Sequence, residues 1–141
     1  MRIVAIVLFV LALLVAILPQ FYNCAAHGVF MEPMPGKFMP MKCLWTANAE
    51  MALGIMLAVV AIGLWFFRER GARTILSILG IVGGVLILIM VTGALFGIGV
   101  CAKPGMVCVV YMRPAILVLA PLIMVDSAVG LALSLKTIRA G

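Results

Sequence analysis

Charge is scarce in this chain: 10% of its 141 residues are Asp, Glu, Lys or Arg, and four of those are acidic. A soluble domain of this length needs a charged exterior, so that class is excluded. There is one His, at position 27, which confines imidazole chemistry to a single place. No C-x-x-C occurs, and with it goes the close spacing that tunes the potential of many thiol oxidoreductases. No phosphate-binding glycine loop is present either, so any energy source has to come from a partner. The net charge of +6 does not point to nucleic acid. The Lys and Arg residues stand singly or in short groups at the ends of apolar segments, where lipid head groups are their natural counter-charge.

What fills the chain is apolar: 67% of residues are hydrophobic, gathered in four long runs. A strand alone in lipid would leave its backbone donors and acceptors unpaired, so the runs are expected to be helices. They are placed at about 3–19, 48–67, 74–100 and 115–135, with outer loops at 20–47 and 101–114 and an inner turn at 68–73. The first run is not followed by a small-x-small cleavage pattern and is read as an uncleaved span. The expected fold is an all-α membrane protein, one domain over 1–141, built as a four-transmembrane-helix up-down bundle. Arg2, Arg68, Arg70, Arg73, Lys136 and Arg139 outnumber Lys37, Lys42, Lys103 and Arg113. That asymmetry sets both termini inside and both cysteine-bearing loops outside. Gly80 with Gly84, Gly93 with Gly97, and Gly54 with Ala58 form small-x-x-x-small pairs suited to close helix packing.

The residues with chemistry concentrate between Cys24 and Glu50. The four cysteines, Cys24, Cys43, Cys101 and Cys108, permit three pairings into two disulfides. The expectation is that structural disulfides, Cys24 with Cys43 and Cys101 with Cys108, staple the two outer loops separately; crossed pairing would instead tie the two hairpins together. His27, Met31, Met34, Met39 and Met41 are soft donors beside Cys24 and Cys43, a set of the kind that selects Cu(I). Their spacing matches no fixed ligand register, and with 11 Met residues spread over the chain such side chains more often pack against the bundle mouth or a partner. Three prolines, Pro33, Pro35 and Pro40, predict an irregular loop. Glu50, after Asn48, reads as a carboxylate at the start of the second helix, favoured there by the helix dipole. Asp126 lies near the middle of the fourth run, where an acid costs about 2.5 to 3.5 kcal/mol. It reads either as a protonated or partnered structural group or as part of an ion or small-solute pathway. A weak repeat links the halves: Pro35-Gly36 before Met41-Lys42-Cys43, and Pro104-Gly105 before Met106-Val107-Cys108.

The stretch M-K-C-L-W-T-A-N-A-E, residues 41–50, resembles a family of small bacterial four-helix membrane proteins classed only as a domain of unknown function. Met41, Lys42, Cys43, Trp45, Thr46, Ala49, Glu50 and Gly54 fit the family's first-loop pattern, and the second-loop C-x6-C with Pro114-Ala115 fits its second. Leu44 stands where the family usually has His. The resemblance implies a multi-pass protein of the bacterial cytoplasmic membrane with its cysteine loops toward the periplasm or cell exterior. It also implies an accessory role beside an ATP-binding-cassette exporter. The expected function is therefore a non-enzymatic membrane component that docks other membrane subunits, without a cofactor. The alternative is an outer-loop thiol-redox or copper-binding protein.

Overall fold

Each apolar run closes its backbone hydrogen bonds within itself, and the computed structural model accordingly has four long helices. It describes residues 2–29, 31–39, 41–67, 69–101, 103 and 105–139, with backbone alone at 31–34, 38, 70 and 137–139. Helix α1 spans Arg2–Phe21, α2 Lys42–Phe66, α3 Arg70–Thr92 and α4 Arg113–Arg139; a π-helical turn at Cys108–Met112 leads into α4. All four are long and apolar enough to cross a membrane, which makes the chain a multi-pass membrane protein. Chain neighbours run antiparallel. Arg2 at the start of α1 lies over the Trp65 ring at the end of α2, 6.0 Å from its centroid. Thr74 near the start of α3 meets Ser134 near the end of α4 at 3.3 Å. Packing of α1 on α4 closes the ring.

The bundle axis is filled by Leu8, Leu57, Ile87 and Ile123, all with no exposed surface. Small residues set the helix spacing. A Cβ on Gly54 would fall 2.8 Å from the Ala12 carbonyl oxygen and the Ala16 nitrogen, so α1 and α2 touch backbone to backbone there. Gly80 and Gly84 face Ser127 and Met124 of α4 in the same way. These motifs therefore serve contacts inside the bundle. Outward-facing Ile, Leu, Val and Phe side chains cover the helices, as a lipid-facing surface requires.

Several boundaries differ from the sequence expectation. Helix α2 starts at Lys42 rather than near 48, so the M-K-C motif is the first turn of a helix and not the end of a loop. Helix α3 ends at Thr92 rather than 100: Gly93 takes φ 71° as its left-handed cap, and the chain turns back on the helix. Gly93 and Gly97 thus lie beyond α3 and form no helical packing pair. The fourth helical segment begins at Cys108, inside the expected second loop. The first loop is also less irregular than three prolines predict. Strands β1 (Met31–Met34) and β2 (Lys37–Met39) pair antiparallel, with Met31 opposite Met39 and Met34 opposite Lys37. Pro35-Gly36 forms the tip, with Gly36 at φ 83°.

The return at 93–99 is tight. Gly97 donates to Ala94 O, Gly99 donates to Met90 O, and a Cβ on Gly97 would fall 1.9 Å from Ile89 O. The obstacle is backbone and cannot rotate away. Gly97→Ala is expected to displace this return, lower stability by about 1–3 kcal/mol, and raise alkylation of Cys101 in folded protein. Thiol-labelling mass spectrometry reads that change, and labelling equal to the parent would refute it.

Candidate metal centre

Two helix starts and two loop ends converge at one end of the bundle, opposite the end marked by Arg2, Arg73 and Lys136. Cys43 lies in the first turn of α2 and Cys108 opens the π turn before α4, so both face the bundle axis next to the positive ends of their helices. The π turn is closed by the Arg113 N–H donating to Cys108 O, an i to i+5 bond that sets Cys108 one register ahead of α4. Cys24 follows α1 in a turn built by Asn23. That side chain donates from Nδ2 to Pro19 O at 3.2 Å and Gln20 O at 2.8 Å, and it accepts from the Ala26 N–H at 2.8 Å. His27 and Val29 both donate backbone N–H to Cys24 O, which curls the chain around the cysteine. Cys101 is delivered by the 93–99 return, held to α2 by the Thr46 hydroxyl donating to Gly99 O. Gln20 Nε2 donates to Ala47 O at 3.1 Å and fixes α1 against α2 at this level.

The four sulfur atoms form one group, all within 4.8 Å of one another. Cys24 Sγ lies 3.4 Å from Cys108 Sγ and 3.8 Å from Cys101 Sγ. The Cys24 backbone N–H donates to Cys43 Sγ at 3.3 Å. No pair approaches the roughly 2.05 Å of a disulfide, and the expected separate stapling of the two loops is not found. The two loops share one cluster instead. The physical reason is the early helix starts, which turn Cys43 and Cys108 inward where a loop would have left them near their sequence partners. Four sulfurs about 2.3 Å from a single ion sit about 3.8 Å apart at tetrahedral corners. The observed separations match that span.

Burial defines the electrostatics. Cys43 and Cys108 have no exposed surface and Cys24 is 3% exposed, while Cys101 is half-buried. Removal from water pushes the Cys24 thiol well above the usual range, and its hydrogen bonds with the neighbouring Cys43 and Cys108 sulfurs push the same way. Burial therefore favours the neutral thiol at Cys24. A cation among the four sulfurs supplies the charge that lets them ionise.

The other residues singled out by sequence fall in different places. His27 is exposed and is not among the clustered ligands. Met39 is 56% exposed on β2. The side chains of Met31 and Met34 lie outside the described residues. Among the described side chains of that set, Met41 is the one that touches the cluster, its Sδ 3.9 Å from Cys101 Sγ. Trp45 points outward, 59% exposed. Glu50 is not at a helix start: it sits two turns below Cys43 on the same face of α2, with no exposed surface and no hydrogen-bond partner for either oxygen. Asp126 is half-buried in the other half of the bundle, its Oδ2 enclosed and unpartnered. The apolar layer of Leu8, Leu57, Ile87 and Ile123 separates it from the cysteine end.

Sequence reading missed Gln20, Asn23 and Gly99, the residues that hold the cluster in place. It also missed the stack of Tyr22 on Tyr111, with centroids 5.6 Å apart, beside the cluster. The one signal that could have found the centre is the repeated Met-x-Cys, which in both halves ends in a cysteine at a helix start. A family model described as "Domain of unknown function (DUF4418)" matches residues 5–133. No curated protein and no solved structure matches the chain.

Proposed function

We propose, for a chain that belongs to the DUF4418 family over nearly its whole length, that it is a metal-handling membrane protein. Its four cysteines hold one thiophilic ion at the outer end of the bundle. The observation that carries this reading is the convergence of Cys24, Cys43, Cys101 and Cys108 within 4.8 Å from four separate parts of the chain. The donor chemistry supports it, since thiolate sets bind zinc and Cu(I) in preference to hard cations. The Cys24 N–H directed at Cys43 Sγ also supports it, as an outer hydrogen bond of the kind that steadies a bound thiolate. Charge asymmetry supports a centre that faces the periplasm or cell exterior. An accessory place in a transport complex is compatible with this role, because the chain itself has no nucleotide motif.

The test is cobalt loading of detergent-purified, reduced protein. Binding of one ion per chain is expected, with the intense sulfur-to-metal absorption and tetrahedral d–d bands of a four-thiolate site. Apparent affinity should rise with pH, because each thiol loses a proton on binding the ion. Protein whose four cysteines all react freely with thiol reagents at saturating cobalt, or that gives no thiolate spectrum, would overturn the reading.

A further inference from the structure

The centre has one side that is open. Cys24, Cys43 and Cys108 are sealed, and Cys101 is the half-buried member through which an ion can reach the cluster. Met41 stands at that opening, half-buried, with its Sδ 3.9 Å from Cys101 Sγ. Its backbone is the N-cap of α2, two residues before Cys43, so the thioether is held by the same helix start that holds a cluster thiol. A thioether is a poor ligand for zinc and hard cations, whereas Cu(I) accepts thioether and thiolate together. A thioether next to the only accessible cysteine therefore discriminates among the ions that four thiolates alone would accept.

Resting on the four-cysteine reading above, we propose that the ion is Cu(I) and that Met41 is its entry ligand. Cu(I) is first captured between Met41 Sδ and Cys101 Sγ, then drawn inward as the three sealed thiols bind it, with Cys101 kept as the fourth sulfur. No electron is transferred. Each Cu–S(thiolate) bond formed releases one thiol proton to water, and the Cu–S(thioether) bond is broken on transfer. The proposal fits the position of Met39, which stands exposed on β2 close before Met41 in the chain and offers another thioether to the outside.

The experiment compares the parent with Met41→Leu, a swap of similar volume that removes only the sulfur donor. Reduced full-length protein in detergent is loaded anaerobically with Cu(I) from a chromophoric chelator, and separately with Co2+. Met41→Leu is expected to slow Cu(I) uptake by about 10-fold, with equilibrium Cu(I) affinity, Co2+ affinity and the Co2+ thiolate spectrum unchanged. A Cu(I) uptake rate equal to the parent would overturn the role of Met41 while leaving the four-cysteine centre standing. Co2+ binding without Cu(I) binding would overturn the choice of metal. Failure of the parent to bind either ion would remove both this proposal and the reading beneath it. A variant that loses both ions equally would show Met41 to be a structural support, and would also overturn it.

Discussion

Replacing Cys43 by Ser is expected to abolish four-sulfur absorption in cobalt-loaded protein and to lower metal affinity by more than about 100-fold, beyond the 10- to 100-fold typical of losing an outer-shell partner. The size follows from where Cys43 sits. It has no exposed surface, it accepts the Cys24 N–H, and it lies in the first turn of α2, so no water or neighbouring side chain can take its place. A serine oxygen is harder than a thiolate and a poor donor to a thiophilic ion. Cys101→Ser should be milder, because that corner is half-buried and water can complete the coordination. Isothermal titration with parallel absorption spectra measures both. Parent-like affinity in Cys43→Ser would show that the sulfurs meet for packing alone.

The second large effect concerns Glu50, and its sign is favourable. Both carboxyl oxygens are enclosed and unpartnered, and burying a polar group without a hydrogen bond costs about 1–3 kcal/mol by mutational measures. Glu50→Leu, which fills similar space without the polar atoms, should therefore raise stability by about that amount. Glu50→Gln should not, since its amide is left equally unpaired. Unfolding in mixed micelles, read by Trp fluorescence, distinguishes the two. A destabilised Glu50→Leu would mean that the carboxyl holds a water or proton network that contributes to the fold. Because Glu50 lies below Cys43 on one face of α2, metal titration of the same variant also shows whether the two are linked.

The four spans were legible because they rest on a single physical requirement, internal satisfaction of backbone hydrogen bonds in lipid, which composition reveals directly. Their ends were not. The start of α2 was obscured by polar Lys42, Thr46 and Asn48, which hydropathy assigns to a loop. The end of α3 was hidden by Ile98 and Val100, apolar residues that lie beyond Gly93 in the return. Those two errors concealed the centre. With Cys43 in a loop and α3 running to 100, each cysteine pair looked local to its own loop, and the absence of C-x-x-C and of a fixed ligand register argued against a redox or metal centre. The centre is made by tertiary convergence of residues 7 to 84 positions apart, and no spacing rule displays that. Met41 was named by residue type among five soft donors; only geometry separates it from His27.

The placement of Cys108 has a consequence for biogenesis. During synthesis the first three cysteines emerge with the opening three helices, but the fourth precedes the last span and reaches its partners only when α4 is seated against α3 and α1. An arrested or unpaired chain therefore leaves three thiols unsealed, whereas a finished one buries Cys24 and Cys43 and leaves only Cys101 half-buried. Assembly of the bundle and protection of its sulfur are one event, and a thiol reagent would distinguish newborn from mature copies by that difference.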